Sequence, residues 1–159
     1  MNYLSTLNYG YRILKSNNII SHKLDSELLL ASVLNKTREE VLTNLNSTLD
    51  KKKFYKFKKL LLRREQKEPI AYIFEKKDFW KQSFFVNKNV LIPRPETEII
   101  VEEVLKLTDD NSSKRFLDVG TGSGCVILSI IKERPNSFGT AIDICKKAIK
   151  IASFNAKMH

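Results

Sequence analysis

The chain has 159 residues, a length typical of about one domain, and 42% of them are hydrophobic. It carries 28 Lys and Arg against 18 Asp and Glu, which gives a formal net charge of +10. Five Gly and four Pro are too few for a fibrous or disordered chain, so the composition predicts a globular protein with a real core.

The sequence also lacks the marks of membrane insertion and secretion. No apolar run approaches the roughly 20 residues needed to cross a bilayer, and residues 1–18 are mixed in character, unlike a signal peptide. The two cysteines, Cys125 and Cys145, fit a reducing compartment and have no metal-ligand spacing. We therefore expect a cytoplasmic protein with no membrane partner and no metal site.

Residues 1–74 are predicted to form a helical bundle, because apolar residues recur there at helical spacing. Ser21 is the expected N-cap of the second helix, and a capping box at Thr37 begins the third. The fourth helix begins near Thr48 or Asp50 and ends before Pro69. The predicted apolar stripes are Leu4, Leu7, Tyr11 and Leu14; Leu24, Leu28, Ala31 and Leu34; and Phe54, Phe57 and Leu61.

The positive charge is concentrated in the same region, which carries +7 against +3 for residues 75–159. Nine basic side chains lie between Lys51 and Lys67, where Glu65 is the one acidic residue. A basic helix of this kind can follow the phosphates of RNA. The sequence alone favours the simpler interpretation, a solvated helix face in a Lys-rich chain, over contact with nucleic acid.

Residues 75–95 are predicted to form a β-hairpin and a linker. Residues 78–80 and 84–86 are aromatic and β-branched and flank a polar turn at residues 81–83. Pro93 and Pro95 then stiffen the backbone before a helix over residues 96–107, whose inward residues are predicted to include Ile100 and Val101.

Residues 96–159 carry the strongest pattern. An apolar run at residues 116–119, interpreted as a buried parallel strand, leads through a glycine loop at residues 120–124 into a helix over residues 126–134. A second strand at residues 139–142 ends at Asp143, and a helix over residues 146–157 follows. This β-α-β-α order is the opening of a doubly wound sheet, so the fold class is α/β.

The glycine loop predicts a cofactor that contains adenosine. A strand that turns through glycines into a helix brings backbone N–H groups close to a ligand. Asp143 follows Gly124 by 19 residues, the spacing at which a carboxylate accepts hydrogen bonds from ribose hydroxyls. The glycines have the spacing G-x-G-x-G, and Cys125 stands where a dinucleotide fingerprint requires glycine. No Gly-Lys-Ser/Thr closes the loop, which excludes the P-loop pattern.

The loop resembles a known family motif. Residues 118–124, Asp-Val-Gly-Thr-Gly-Ser-Gly, are similar to motif I of class I S-adenosylmethionine-dependent methyltransferases. Residues 91–98, Leu-Ile-Pro-Arg-Pro-Glu-Thr-Glu, resemble the segment that precedes the methyltransferase core in the bacterial release factor glutamine methyltransferases, the HemK or PrmC family. Further similarities lie at Asp25 and residues 28–31, 69–73 and 154–156, so the resemblance covers nearly the whole chain. Glu75 departs from it, because the family usually has glycine there.

The resemblance implies S-adenosylmethionine as the cofactor, with Asp143 at the ribose and Asp118 near the methionine end. The implied cofactor residues are Asp118, Gly120, Thr121, Gly122, Ser123, Gly124 and Asp143. The implied border of the substrate entrance is Pro93, Arg94, Pro95, Glu96 and Thr97.

The family methylates the side-chain amide of the glutamine in the Gly-Gly-Gln motif of class 1 peptide chain release factors. It does so with an Asn-Pro-Pro-Tyr motif, which these 159 residues do not contain, so no catalytic residue is assigned. We expect the chain to be the front portion of such an enzyme, inactive by itself. The expected organisation is a substrate-recognition bundle at residues 1–74, the hairpin and linker at 75–95, and an incomplete Rossmann-like cofactor domain at 96–159.

Two other functions stay open from the sequence. Enzymes that N-methylate a nucleic-acid base share motif I and the Asn-Pro-Pro-Tyr motif, and the basic bundle favours that alternative while residues 91–98 argue against it. The second alternative is a binding module without catalytic turnover.

Overall fold

A computed structural model describes residues 1–111 and 113–159. The chain divides into two compact units, Met1–Ile73 and Phe74–His159. Helices make up the first unit, whereas the second combines helices with two small sheets, which confirms the predicted α/β class.

The first unit consists of helices, three of which begin at a side-chain cap. The helices are α1 (Tyr3–Ser16), α2 (His22–Leu34), α3 (Arg38–Thr43), α4 (Lys51–Glu65) and α5 (Ile70–Ile73). The capping box predicted at Thr37 is confirmed, and Asn2 forms a second one at the start of α1. Asp50 caps α4 by accepting a hydrogen bond from the Lys53 N–H at 2.8 Å. Ser21 lies at the N-cap position of α2, but its hydroxyl donates to the carboxylate of Asp25 instead.

The core of the first unit differs from the predicted stripes at their margins. Leu4 and Leu24, which were expected inside, are exposed, and the fully buried positions include Leu7, Leu14 and Phe57. Gly10 lies where α1 packs closely on α2, since a Cβ at this position would lie 2.8 Å from the Ser26 hydroxyl. α1 therefore turns its glycine side toward α2, and Leu4 falls outside the contact.

The second unit begins with the hairpin, in which β1 (Lys76–Phe79) pairs antiparallel with β2 (Gln82–Phe85). The turn was predicted at residues 81–83, but it lies at Trp80 and Lys81, and Gln82 already pairs with Phe79. Trp80 has a positive φ of 54°, and its backbone N–H donates to a Glu98 carboxylate oxygen at 2.7 Å. This bond fixes a turn that composition alone does not favour.

After a short 3-10 helix (Pro95–Thr97), the chain continues through α6 (Glu98–Lys106), β3 (Arg115–Val119), α7 (Cys125–Glu133), β4 (Phe138–Ile142) and α8 (Lys146–Met158). β3 and β4 are parallel, with Arg115 opposite Phe138 and Val119 opposite Ile142. The predicted β-α-β-α order is confirmed. A core cluster of Phe79, Phe84, Val101, Cys125 and Ile130 joins the hairpin to α6 and α7.

The strand at residues 115–119 is not buried on both faces as predicted. Leu117 and Val119 are 62% and 72% exposed, while Phe116 packs against the core cluster. Side chains of a strand alternate between its faces, so one face of this sheet is covered by helices and the other is open within the described residues. The same open face exposes Ile142 of β4. Ile100, expected to face inward from α6, is also exposed, whereas Val101 is fully buried.

No helix in the described part of the chain is both long and apolar enough to span a membrane.

Glu75, just before β1, has a left-handed backbone with φ of 53°, the conformation that glycine adopts without strain. We expect Glu75→Gly to raise the free energy of unfolding of the second unit by about 1 kcal/mol, because the relief of left-handed strain exceeds the entropy cost of glycine. Trp80 is the one tryptophan in the sequence, so its fluorescence during urea unfolding reports on this unit alone.

Glu75→Ala is the matched control, since it removes the same exposed side chain but keeps a Cβ at positive φ. Equal stability changes in the two variants would contradict a role for backbone strain.

Candidate functional site

The glycine loop after β3 is pinned to the end of β4 by its backbone. The N–H groups of Gly120 and Thr121 both donate to the carbonyl of Ile142, at 2.9 and 3.0 Å. The Gly124 N–H donates to the Thr121 carbonyl at 2.8 Å, and α7 begins with the next residue. The loop therefore lies at the carboxyl ends of both parallel strands, the edge where open α/β sheets bind ligands.

The three loop glycines have different surroundings. All have positive φ, at 80° for Gly120, 55° for Gly122 and 81° for Gly124. A Cβ added at Gly120 or Gly122 would meet no protein atom within 4 Å, whereas one at Gly124 would lie 3.3 Å from the Cβ of Ala152. The first two glycines thus leave space for a ligand, and the third allows α8 to approach.

The loop borders a cleft of about 400 Å³, a volume within the range of small-molecule sites. The opposite wall is the proline-containing segment at residues 91–94, with Thr97 beside it. Of the residues implied by the resemblance, the cleft brings together Asp118, Gly120, Thr121, Gly122 and Ser123 with Pro93, Arg94 and Thr97.

The remaining implied residues lie outside the lining of this cleft. Gly124 lines a separate apolar cavity of about 220 Å³ between α7 and α8. Pro95 and Glu96 are exposed in the short 3-10 helix. Asp143 reaches the cleft only through its hydrogen bond to the loop.

Asp143 binds the loop with its carboxylate. One oxygen accepts a hydrogen bond from the Gly122 N–H at 2.9 Å, and the other accepts one from the Cys145 N–H at 2.8 Å. These two bonds, that from Cys145 first, hold the pKa of the Asp143 carboxyl below its usual value. The group is therefore ionised at neutral pH, and each oxygen keeps a further lone pair for a hydroxyl donor.

Asp118 stands at the inner end of the loop, where it accepts a hydrogen bond from the Thr121 hydroxyl at 2.7 Å. Thr121 is buried and Asp118 is half-buried. The hydroxyl fixes one carboxylate oxygen, so the cleft presents a fixed negative charge suited to an ammonium group.

Asn155 is the functional neighbour that sequence reasoning missed. Its fully buried side-chain amide donates to the Ser123 carbonyl at 2.8 Å and to the Phe85 carbonyl at 3.0 Å. Its oxygen accepts from the Phe85 N–H at 2.8 Å. One side chain thus joins the glycine loop to β2. The sequence pattern that could have indicated this role is the helical spacing of Asn155 with Ala148 and Ala152, which places a polar residue on the buried face of α8.

Cys125, the first residue of α7, is buried, and burial raises the pKa of its thiol. A thiol of this kind behaves as a small apolar side chain and not as a nucleophile. Among the described residues, no cluster of three or more His, Cys, Asp or Glu side chains is arranged to hold a metal ion.

Known proteins are similar to this chain over most of its length. Residues 5–74 match the family described as the PrmC N-terminal domain. The chain is 39% identical over 143 residues to a release factor glutamine methyltransferase of Caulobacter vibrioides and 43% identical over 137 residues to that of Coxiella burnetii. These alignments cover 90% and 86% of this chain and 50% of each relative, so the chain spans about half the length of those relatives.

A longer relative, a bifunctional methyltransferase of Rickettsia bellii, is 36% identical over 179 residues. That alignment covers 96% of this chain and 32% of the relative.

The contacts of Asn155 predict a large effect of its removal. We expect Asn155→Ala to lower the free energy of unfolding of the second unit by about 2–3 kcal/mol, because it leaves the Phe85 N–H and the buried Ser123 carbonyl without their partner. Urea unfolding followed by Trp80 fluorescence measures this change.

Lys157→Ala, an exposed change on the same helix, is the control and should stay within about 0.5 kcal/mol of the parent chain. A similarly small change for Asn155→Ala would mean that the amide contributes nothing to the stability of this unit.

Proposed function

Because the chain belongs to the release factor glutamine methyltransferase family, we propose that it binds S-adenosylmethionine and takes part in methylating a glutamine of peptide chain release factors. The chain spans about half the length of the family members that it matches. The observation that carries the proposal is the cleft in which the glycine loop faces residues 91–94 and Thr97. The two segments that carry the family resemblance lie 20 or more residues apart in sequence, yet they form opposite walls of one cavity.

The residues of the cleft, together with Asp143 beside the glycine loop, fit the proposed cofactor. Gly120 and Gly122 leave open the space that a Cβ would fill, so the ligand can approach their backbone. Asp143 offers ionised carboxylate oxygens at the carboxyl end of β4, suited to the two ribose hydroxyls. Asp118 offers a negative charge for the ammonium of the methionine portion. Bound S-adenosylmethionine supplies an activated methyl group on a sulfonium.

The substrate side of the proposal concerns residues 93–97. A glutamine amide nitrogen is a weak nucleophile, because its lone pair is delocalised, so it has to be held in line with the methyl group. We assign Pro93, Arg94, Pro95, Glu96 and Thr97 to the border where the substrate enters, with Pro93, Arg94 and Thr97 on the cleft itself. The prolines keep this border rigid. No residue of the 159 is assigned to the chemical step.

Methylation of a nucleic-acid base is the second candidate, and the charge of the first unit favours it. Residues 1–74 carry 14 basic and 7 acidic side chains. The names of the relatives and the segment at residues 91–98 favour the protein substrate. The release factor substrate also implies a cytoplasmic location, since release factors act at the ribosome.

The cofactor proposal predicts a specific effect at Asp143. We expect Asp143→Ala to weaken S-adenosylmethionine binding by roughly 10- to 150-fold, which corresponds to about 1.5–3 kcal/mol for hydrogen bonds to a charged group. Asp143→Asn should weaken it less, because the amide oxygen still accepts. Isothermal titration calorimetry on the whole chain measures both.

Asp78→Ala removes an exposed carboxylate elsewhere in the same unit and should leave binding unchanged. Tighter binding of a nicotinamide dinucleotide than of S-adenosylmethionine, or a loss below about 2-fold for Asp143→Ala, would refute the proposed site.

The substrate proposal predicts the outcome of deleting the gene in the organism that makes this chain. Mass spectrometry of its class 1 release factors should show the glutamine of the Gly-Gly-Gln motif unmethylated after deletion and methylated again after the gene is restored. Unchanged glutamine methylation, together with loss of a methylated base from RNA or DNA, would instead establish the second candidate.

A further inference from the structure

The first unit presents an exposed row of lysines along α4 that the proposed methyl transfer does not use. We name it the lysine face, and its members are Lys51, Lys52, Lys56, Lys58 and Lys59. All five side chains are exposed, and residues 51–64 contain no Asp or Glu. Lys52, Lys56 and Lys59 follow helical spacing along one side of α4, within about 10 Å of helix length. The result is a compact concentration of positive charge.

Three carboxylates of the unit pair with arginines, while Glu65 lines the groove that Lys58 and Lys59 border. Asp25 pairs with Arg64 at 2.7 Å, Glu27 pairs with Arg38 at 2.6 Å and Glu68 pairs with Arg63 at 2.6 Å. Of the acidic residues nearer in sequence, Asp50 caps α4 and lies 4.0 Å from Lys53, and Glu65 accepts a hydrogen bond from Asn17.

No ion pair joins the lysine face to a carboxylate anywhere in residues 1–111 or 113–159. Three arginines of the bundle, Arg38, Arg63 and Arg64, form ion pairs, whereas the five lysines of the face form none within those ranges. The positive charge of this face is therefore free to attract an anion.

Aromatic and apolar side chains are interleaved with these lysines. Tyr55 is 65% exposed, and Leu62, about two turns further along the helix, is 54% exposed. The Nζ of Lys58 lies 6.0 Å from the ring centroids of both Tyr9 and Phe54. A groove of about 290 Å³ between α1 and α4 includes Tyr9 and Tyr55 in its lining, and Lys59 borders it and a second groove of about 330 Å³ beside Asn35.

We propose that the lysine face binds single-stranded nucleic acid, with the lysines on its phosphates and Tyr55 stacked on a base. Lysines that follow a backbone, together with aromatic rings on which bases stack, are the combination that single-strand binding requires. An acidic protein would satisfy the same charge, so the test below includes polyglutamate as its stand-in. The proposal concerns the first unit alone and does not depend on the methyl-transfer substrate.

The test uses the whole chain and a fluorescently labelled oligouridylate of 12 nucleotides, with binding followed by anisotropy over a range of salt concentrations. We expect saturable binding that weakens with salt. The triple variant Lys52→Gln, Lys56→Gln and Lys59→Gln should bind at least about tenfold more weakly. Its salt slope should also fall by about 2, since each lysine–phosphate contact on a single strand contributes about 0.7.

A matched control carries Lys146→Gln, Lys147→Gln and Lys150→Gln on α8, which remove the same charge from exposed positions of the second unit. Its affinity should stay within about 2-fold of the parent chain. Tyr55→Ala should weaken binding of the single strand by about tenfold and binding of a 12-base-pair duplex far less, because duplex bases are already stacked. Circular dichroism of each variant establishes that the helices persist.

Several outcomes would overturn the proposal. They are no saturable binding at about 50 mM salt, equal losses in the two triple variants, binding of polyglutamate as tight as that of the oligonucleotide, and an unchanged affinity for Tyr55→Ala.

Discussion

The buried amide of Asn155 is the contact on which the second unit depends. Its three hydrogen bonds connect α8 to the edge of β2 at Phe85 and to the glycine loop at Ser123. Each partner is a backbone group, and the bond to the Ser123 carbonyl is buried, so the amide satisfies backbone groups of β2 and of the loop at once. The shape of the cleft follows, because the loop cannot shift without leaving buried polar groups unpaired.

The glycine loop is held from several directions, and each contact comes from a different element. The end of β4 accepts from Gly120 and Thr121, Asp143 accepts from Gly122, and α8 reaches Ser123. A loop fixed in this way has little conformational freedom left to lose, which favours binding of the proposed cofactor. Asp143 thereby combines a structural hydrogen bond with free acceptor positions for a ligand.

In the helical unit, two carboxylates are buried and paired, whereas the lysines of the lysine face are exposed and form no ion pair with any described residue. The carboxylates of Asp25 and Glu27 are buried on α2 and pair with arginines of α4 and α3. Ion pairs that include a buried carboxylate contribute little net stability, because the cost of desolvation offsets the attraction. Asp25 and Glu27 thus hold their charge inside the bundle, while the lysine face keeps its positive charge outside.

Sequence patterns predicted the features that depend on neighbouring residues. The capping box at Thr37, the start of α4 near Thr48 or Asp50 and the glycine loop after β3 all follow from local spacing or local hydrogen bonding. The exposed Leu117 was predicted wrongly, because the apolar pattern of a strand does not tell which of its faces another element covers. The turn at Trp80 and the role of Asn155 were missed for a related reason, since both depend on partners distant in sequence.

The separation of 70 positions between Phe85 and Asn155 has a consequence for biosynthesis. At the usual 5–20 residues per second, the ribosome extends the chain for roughly 4–14 seconds between making β2 and making the residue that completes it. During this interval the polar edge of β2 has only water as a partner. The helices of residues 1–73 contact one another at short range and can complete their folding meanwhile. The nascent chain therefore acquires its two units in the order of translation, with the cleft as the last part to form.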